Sequence, residues 1–523
     1  MPQLTSEEAP RRVTRPRPTG KVRPLEEVAR CVAKAKAKGK RVVHCHGVFD
    51  LLHPGHIRHL EAARREGDLL VVTVTQDEYV NKGPGRPVFN QRLRAESLAA
   101  LECVDYVAVN QWPSAVETIR FLRPDVYVKG GEYAQREQDV TGKIVEEEHA
   151  VLAVGGRIHF TNEITFSSSK LLNDHFSVFL PETEAWLKAF RRRYTPEQVL
   201  GFLERASTLR PVVVGEAIID EYAFCDGLGK STKEPILAFR YGFTESHAGG
   251  SLAVANHLAG FCREVELVCL LGEHDRREDF VRQQLLPNVR LRVVTHRGAP
   301  TIHKRRFVDT HTAGRMFELY VMDDTPLDRE AEAELLSSLN GATDGADLVI
   351  VADYGHGMLT PSAIRALCDF PRFLAVNTQA NAGNRGFNTI SRYRRADYVC
   401  LAGHEIALET RMRPGNLQDL ILEVTKRINC PRFTVTHGGK GSLHYEAGVG
   451  FTEAPALASR ITDRVGAGDA VLAVSSLLVA QGTPWDVVGL IGNVVGAEMV
   501  AELGNRVSVS RFPLTKHVTA LLK

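Results

Sequence analysis

The sequence predicts an α/β protein with two doubly wound domains, each built around an open and mostly parallel sheet. Short β-branched runs, such as DLLVVTVT at 68–75, are typical of strands that are buried on both faces. In the first part of the chain these runs alternate with helical patterns, and a new apolar strand begins at Pro211 after a purely helical stretch. A length of 523 residues leaves room for two to four domains, each with its own core.

Composition excludes several classes of protein. The chain is 44% hydrophobic and 24% charged, as ordinary soluble proteins are, and its net charge of +2 argues against a general nucleic-acid-binding surface. Nine scattered cysteines without a C-x-x-C pair argue against a disulfide framework and a zinc site. We find no apolar run long enough to span a bilayer and no signal peptide. We therefore expect a cytoplasmic protein without nucleic-acid or membrane partners.

The expected boundaries follow from where the pattern changes. We expect a basic arm with a short helix at 1–39, a first α/β domain at 40–180, a helical linker at 181–209 and a second α/β domain at 210–523. Within the first domain the pattern predicts a series of strands and helices. The strands are expected near 68–75, 106–109, 126–128 and 157–160, and the helices near 92–102 and 114–121.

The first domain opens with the stretch VVHCHGVFDLLHPGH at 42–56. A β-branched strand leads to Gly47 and Phe49, and a helical pattern begins near His56. His53 and His56 flank a glycine, where free backbone N–H groups and two imidazoles would suit a phosphate. Asp50 is expected either to orient this turn or to contact substrate.

Other residues of the first domain suit anion binding by charge or by an accessible backbone. They are Lys82, Arg92, Lys129, Gly130 and the run Ser167, Ser168 and Ser169.

This combination resembles the nucleotidyltransferase superfamily with the H-x-G-H element. Over about 40–175 it is most similar to the adenylyltransferase half of the bifunctional heptose kinase/adenylyltransferases. The resemblance implies a Rossmann-like domain in which a sugar phosphate oxygen attacks the α-phosphorus of ATP or CTP. It also implies that His53, His56, Lys82, Arg92 and Lys129 bind the phosphates and that Mg²⁺ bridges the triphosphate.

The second domain carries a glycine-rich helix start, Gly466-Ala467-Gly468-Asp469. Its glycines allow backbone N–H groups to converge on an anion, and the carboxylate of Asp469 would stand beside that anion to take a proton from a hydroxyl. A strand from Pro211 ends with Asp220, which would suit a sugar hydroxyl, and the pair Gly249-Gly250 precedes an alanine-rich helix.

These elements resemble the ribokinase-like (PfkB) carbohydrate kinases over about 210–515. The resemblance implies that Asp469 is the catalytic base, with Mg²⁺ and ATP as cofactors. It implies sugar contacts at Asp220, Gly249, Gly250 and Asp353, nucleotide contacts at Thr436, Gly438, Gly466, Gly468 and Asn493, and a water-mediated magnesium contact at Glu405. The segment 300–307 resembles the heptose kinase subgroup, and Gly504 is expected in a closing helix with Asn493.

Several positions depart from the kinase pattern. Ala253 and Ala402 replace asparagines, His356 stands near a usual lysine, and Asn377 stands where aspartate is common. The kinase also follows the transferase, whereas the bifunctional enzymes carry the kinase first.

Three functional hypotheses follow, and the third is non-enzymatic: the basic N-terminal arm contacts RNA or a membrane surface. In the first, the chain is a bifunctional enzyme of activated-sugar synthesis that makes an NDP-heptose from a sugar phosphate and a nucleoside triphosphate. In the second, only the transferase is active, on another phosphoalcohol, and the kinase-like domain is a binding or dimerisation module. By analogy with both families we expect a homo-oligomer.

Overall fold

The computed structural model describes residues 20–80, 86–131, 143–161, 179–312, 314–412 and 415–522. The chain divides into two compact units, Met1–Phe176 and Ser177–Lys523.

The first unit contains a five-stranded, fully parallel sheet in the order β3-β2-β1-β4-β5. Its strands are β1 (Val42–Gly47), β2 (Leu69–Val74), β3 (Tyr106–Val109), β4 (Val126–Gly130) and β5 (Arg157–Thr161). Its helices are α1 (Leu25–Lys36), α2 (Pro54–Arg65), α3 (Gln91–Ala99), α4 (Val116–Leu122) and α5 (Lys143–Ala153). The strand order reverses between β1 and β4, and ligands of doubly wound sheets bind beyond the carboxyl ends of strands at such a point.

Helix α1 is part of this unit's core. Leu25, Val28 and Val32 recur at helical spacing and pack in one buried cluster with Val42 and Val71 of the sheet. The helix predicted within the basic arm is therefore a layer of the first domain.

The second unit contains a sheet in the order β9-β8-β6-β12-β13-β14-β15-β16-β17, parallel up to β15 and closed by an antiparallel hairpin. Its strands are β6 (Pro211–Lys230), β7 (Leu237–Gly250), β8 (Val265–His274), β9 (Val289–Pro300), β10 (Ile302–Asp309), β11 (Arg315–Val321), β12 (Leu348–Asp353), β13 (Phe373–Thr378), β14 (Tyr398–Ala402), β15 (Arg432–Thr436), β16 (Ser442–Glu446) and β17 (Gly450–Ala454). The predicted α/β class with parallel sheets is confirmed in both units.

Strand β6 does not end at Asp220, as the sequence suggested. Its first residues pair with β8 and β12 in the main sheet, and its second half pairs with β7 and β10. Together with β11, these strands form a second, smaller sheet in the order β7-β6-β10-β11, which we call the lid sheet. The pairing with β10 reaches Cys225, and the antiparallel pairing with the next strand, β7, extends β6 to Lys230.

The helices of the second unit complete the layers on the main sheet. They are α6 (Pro181–Arg191), α7 (Pro196–Arg205), α8 (Ser251–Ala259), α9 (Glu278–Gln284), α10 (Arg329–Thr343), α11 (Pro361–Cys368), α12 (Gly403–Thr410), α13 (Leu417–Thr425), α14 (Ala467–Ala480), α15 (Trp485–Val500) and α16 (Arg511–Leu522). In the described part of the chain, no helix is both long and apolar enough to cross a membrane.

Helices α6 and α7 occupy the segment expected to be a linker, 181–209. Leu187, Phe190, Val199 and Leu203 belong to the main hydrophobic cluster of the second unit. The indole N–H of Trp186 also donates to the carbonyl of Glu453 at 3.2 Å. The structure therefore assigns this segment to the second unit, because its apolar stripes are buried there.

Replacing Leu187 by alanine tests this packing. Leu187 is fully buried, so Leu187→Ala should lower the free energy of unfolding of the second unit by about 3 kcal/mol. Urea unfolding followed by tryptophan fluorescence in a Trp112→Phe background would report on Trp186 and Trp485, which lie in the second unit. Lys188→Ala, on the exposed face of the same helix, is the control, and equal effects of the two variants would contradict the assignment.

Candidate functional sites

The histidine turn of the first unit lies at the carboxyl end of the central strand β1. Helix α2 begins at Pro54 with His53 as its N-cap, and His53 Nδ1 accepts the N–H of Gly55 at 3.1 Å. The rings of His53 and His56 stack with centroids 3.9 Å apart. Two imidazoles thus stand at a helix N-terminus, whose unpaired N–H groups favour an anion.

Phe49 and Gly47 shape the approach to these histidines. Phe49 has a left-handed backbone (φ 49°), and its ring meets that of His56 edge-on at 5.5 Å. A Cβ on Gly47 would lie 3.0 Å from the Phe49 ring, so a larger residue would displace that ring. These two residues shape the turn that carries His53 and His56.

Asp50 orients the turn. Its carboxylate accepts the N–H of Phe89 at 3.0 Å and forms an ion pair with Arg86 at 3.4 Å. The side chains of Asp50 and Arg86 are buried, and Arg86 and Phe89 lie in the loop before α3. The Asp50 carboxylate therefore ties that loop to the histidine turn. The sequence left open whether Asp50 orients the turn or contacts substrate, and the geometry favours the orienting role.

Lys129 and Gly130 lie at the end of β4, next to β1 in the sheet. Lys129 forms an ion pair of 2.8 Å with Glu147 of α5, an acidic partner that the sequence reasoning missed. Burial lowers the pKa of His59 to about 4, with a further contribution from the Lys129 charge. The sheet order thus brings Lys129 and the histidine turn to the same edge.

Arg92 is not brought into this site. Its side chain is 84% exposed and pairs with Glu96 one helical turn away. Arg94 is the buried arginine of α3: it donates to the carbonyls of Val48, Thr75 and Phe89 at 2.5–2.8 Å. The sequence expectation missed the inward face of the helix by two positions, because α3 has little amphipathic contrast. Lys82, Ser167, Ser168 and Ser169 lie outside the described residues.

In the second unit, α14 begins at the glycine-rich motif as predicted. Gly466 is its N-cap with a left-handed backbone (φ 80°), and a Cβ there would collide with the side chain of Asn505. A Cβ on Gly468 would meet nothing within 4 Å, so the space above this helix N-terminus is open. The motif therefore offers backbone N–H groups to an anion.

Asp469 stands in the first turn of α14 and has the properties of a base. It is largely buried, and one carboxylate oxygen accepts the hydroxyl of Tyr354 at 2.8 Å. Burial raises the pKa of Asp469 to about 7, and the hydrogen bond from Tyr354 opposes that shift. A carboxylate with such a pKa accepts a proton efficiently near neutral pH.

Asp220 lies on the lid sheet beside the same site. It forms a buried ion pair of 2.6 Å with Arg306 and accepts the amide of Asn505 at 3.0 Å. A Cβ on Gly249 would collide with the Asp220 carboxylate, so the glycine is needed for the close approach of β7. At Gly250 the backbone is left-handed (φ 60°), and α8 begins directly after it.

Two predicted contact residues have structural partners instead. Asp353 is fully buried and accepts hydrogen bonds from Tyr393 at 2.8 Å and Asn388 at 3.1 Å, so it faces the interior and not a sugar. Asn493 donates to the carbonyls of Ala454 and Pro455, which fixes the turn after β17. Both side chains lie at the predicted places in the fold, but their polar atoms are used within the protein.

Thr436 and Gly438 lie at the end of β15, where the chain turns. Gly438 has a left-handed backbone (φ 54°) and nothing would meet a Cβ there, which leaves room for a ligand. Gly504 lies after α15 and not within a helix, and its N–H donates to Asp463 at 3.0 Å.

Glu405 caps the helix α12. Its two carboxylate oxygens accept the N–H groups of Ala402 at 2.7 Å and Ala380 at 3.2 Å. Burial raises the pKa of Glu405 to about 7, and Asp469 is close enough to add to that shift. Each oxygen keeps a lone pair, so the residue fits a magnesium ion held through water. The described residues contain no cluster of three or more side chains that could hold a metal ion.

Glu216 is the functional residue that sequence reasoning missed in this unit. It is fully buried on β6, and its oxygens accept the N–H groups of Tyr354 at 3.1 Å and His356 at 3.0 Å. A carboxylate in the middle of an apolar strand run was the available signal.

Comparisons with known proteins match the two units separately. A family model described as cytidylyltransferase-like matches residues 44–174, and one described as pfkB family carbohydrate kinase matches residues 209–511. The protein called bifunctional protein HldE is 40% identical over 140 residues in Trichlorobacter lovleyi and 44% identical over 140 residues in Geobacter sulfurreducens. Each alignment covers 26% of this chain, within its N-terminal domain, and 27% of the relative. The matched part thus spans about a quarter of these relatives.

Solved kinase structures align with about three fifths of the chain. Arabidopsis thaliana ribokinase in complex with ribose and ATP covers 60% of this chain and 99% of its own, at 18% identity and a TM-score of 0.46. Escherichia coli phosphofructokinase-2 in complex with potassium covers 61% of this chain and 100% of its own, at 14% identity and a TM-score of 0.48.

The pair Arg94 and Arg92 provides a test of the first site. Arg94→Met leaves three carbonyls without a donor and should lower the free energy of unfolding of the first unit by about 3 kcal/mol or more. Arg92→Met, in the same helix, should change it by less than about 0.5 kcal/mol. Thermal unfolding of both variants measures the difference, and a larger loss for Arg92→Met would refute the assignment.

The pH dependence of phosphoryl transfer tests the role of Tyr354. A catalytic base accepts a proton only when it is deprotonated, so if Asp469 is that base kcat should rise with pH up to about 7 and then level off. Tyr354→Phe removes a hydrogen bond that favours the charged form, so this rise should move to higher pH. Tyr398→Phe removes another buried hydroxyl, bonded to Ser475, and should leave the profile in place. An unmoved profile for Tyr354→Phe would show that Asp469 is not the titrating base.

Proposed function

Because the chain belongs to the pfkB family of carbohydrate kinases and also carries a cytidylyltransferase-like domain, we propose that it is a bifunctional enzyme of activated-sugar synthesis. The second unit phosphorylates a hydroxyl of a sugar phosphate with ATP, and the first unit joins a sugar 1-phosphate to a nucleotide with release of pyrophosphate. The most specific form of the proposal is a heptose phosphate that becomes an NDP-heptose, with ADP-heptose favoured. The similarity of the first unit to the proteins called HldE supports this form.

The kinase proposal depends chiefly on one observation, the buried carboxylate of Asp469 at an open helix N-terminus. The backbone N–H groups of the Gly466–Gly468 turn would hold the transferred phosphoryl group. Asp469 would take the proton of the attacking sugar hydroxyl, while Tyr354 keeps its carboxylate oriented. Glu405 would hold a magnesium ion through water, and that ion would neutralise charge on the phosphates.

The transferase proposal depends on the stacked pair His53 and His56 at the start of α2. These side chains and the helix N-terminus would bind the phosphates of the nucleoside triphosphate, and Lys129 would add positive charge at the neighbouring strand end. An oxygen of the sugar phosphate attacks the α-phosphorus in line, and pyrophosphate leaves. The residues therefore act by positioning and by charge stabilisation, and the donor is ATP or CTP.

A second candidate function keeps only the transferase, for another phosphoalcohol. The alanines at 253 and 402 favour it, because they remove two amide side chains that the resemblance places on the sugar and metal sides. Under this candidate the second unit is a binding or dimerisation module.

Two single variants separate these candidates. Asp469→Asn should lower the kcat of sugar phosphorylation on the order of 100-fold or more and leave pyrophosphate release unchanged. His56→Asn should instead lower the rate of pyrophosphate release and leave the kcat of sugar phosphorylation unchanged. Both activities are measured on the full chain with ATP or CTP and a panel of heptose phosphates, and Asp419→Asn and His149→Asn, at exposed positions, are the controls.

Each outcome of this experiment selects one reading. Pyrophosphate release without any phosphorylation, insensitive to Asp469→Asn, would favour the module. No turnover with any of these sugars would reject the heptose form. The proposal also includes a cytoplasmic location and a homo-oligomer. Sedimentation of the purified chain tests the oligomeric state.

A further inference from the structure

A buried lysine on the lid sheet has no role in the chemistry described so far. Lys304 lies on β10, in register with Asp220 of β6 and with Tyr320 of β11. It is only 4% exposed. Its ammonium group lies over the Tyr320 ring, 5.3 Å from the centroid.

The described residues leave the Lys304 ammonium without a salt bridge or a hydrogen bond. Arg306 lies on the same face of β10, two residues after Lys304. Unlike Lys304, it forms ion pairs with Asp220 at 2.6 Å and with Glu318 at 3.2 Å. Arg306 pairs with Asp220, the carboxylate in register with Lys304, and no other carboxylate of the described residues forms an ion pair with Lys304. A buried cation without a partner is costly, and it marks a place where an anion from outside the chain would be stabilised.

The surroundings place Lys304 at the candidate kinase site. Burial lowers the pKa of Lys304, while Asp220, Glu216 and Asp469 are close enough to oppose that shift. The ammonium in turn contributes to lowering the pKa of Asp469, although burial dominates there. The lysine and the catalytic base therefore sense each other's charge within one site.

We propose that Lys304 binds a phosphate group carried by the sugar substrate, and so makes the second unit selective for sugar phosphates over free sugars. This inference rests on the proposed kinase function. The transferred phosphoryl group already has donors at the N-terminus of α14. Lys304 lies on the lid sheet beside Asp220, whereas Thr436 ends β15 and Gly438 follows it, and β15 is separated from β6 by β12, β13 and β14. The lysine is thus on the sugar side of the site.

Steady-state kinetics with paired substrates test the proposal. The full chain is assayed with heptose 7-phosphate and with the free heptose, and each variant is compared for kcat and KM. Lys304→Met should raise the KM for the sugar phosphate on the order of 10- to 100-fold, because a charge-assisted contact is lost. The KM for ATP and the activity on the free sugar should stay the same. Lys304→Arg should recover much of the affinity.

Two outcomes of the kinetics would overturn the inference. Lower kcat on both sugars at unchanged KM would place Lys304 on the transferred phosphoryl group. Unchanged kinetics would show that Lys304 binds neither phosphate. Arg305→Met, on the neighbouring position whose side chain pairs with Glu221 on the other face of the lid sheet, is the matched control.

A binding measurement decides the question without turnover. Calorimetry with inorganic phosphate is done on the full chain saturated with a non-hydrolysable ATP analogue, which occupies the nucleotide phosphate sites. The wild-type chain should bind phosphate, and Lys304→Met should weaken this binding at least 10-fold. Absence of binding to the wild-type chain, or equal binding to the variant, would refute the role of Lys304 even if the kinase itself is inactive.

Stability separates a binding role from a structural one. Removal of an unpaired buried charge should raise the unfolding temperature of Lys304→Met. A lysine that supports the lid sheet would give a lower unfolding temperature together with unchanged phosphate binding, and that result would also overturn the proposal.

Discussion

The buried carboxylate of Glu216 fixes the geometry on which the second site depends. It lies at the point where β6 leaves the main sheet, and both of its oxygens accept backbone N–H groups from the loop after β12. One of those groups belongs to Tyr354, whose hydroxyl reaches Asp469. Burial raises the pKa of Glu216 to about 7, and the hydrogen bonds from the N–H groups of Tyr354 and His356 oppose that shift. The loop, the tyrosine and the base are therefore positioned as one unit.

Strand β6 carries this constraint into the lid sheet. Asp220 follows Glu216 on the same strand, so the carboxylate that holds the loop and the carboxylate that pairs with Arg306 cannot move independently. The close approach of β7 requires glycine at both 249 and 250, since a Cβ would meet Asp220 at the first and the backbone of Glu216 at the second. A single continuous strand thus couples the lid sheet to the loop that carries Tyr354, the hydrogen-bond partner of Asp469.

The sequence predicted the features that a few adjacent residues determine. It failed for features that depend on how strands pair and on which face of a helix meets the sheet. The histidine turn and the glycine-rich start of α14 could be found because a few adjacent residues create a helix N-terminus by themselves. Asp353 and Glu216 are both acids on buried strands, and only the order of strands in the sheet tells which of them supports the base. Sequence spacing also could not choose between Arg92 and Arg94, because the choice depends on which face of α3 meets the sheet. The end of β6 was misplaced because the strand leaves the main sheet after Glu216 and continues in the lid sheet, and this change of partners is not visible in its own residues.

The two sites differ in a way that the chemistry of their nucleophiles explains. Both contain a helix N-terminus that would suit an anion, that of α2 in the first unit and that of α14 in the second. In the first unit, the carboxylate of the histidine turn, Asp50, is already bound by Arg86 and by the N–H of Phe89. A phosphate nucleophile is already anionic at neutral pH and requires no base. A sugar hydroxyl must lose a proton as it attacks, and the second unit supplies Asp469, whose pKa burial raises to about 7. The distribution of carboxylates thus supports nucleotidyl transfer to a phosphate in one unit and phosphoryl transfer to a hydroxyl in the other.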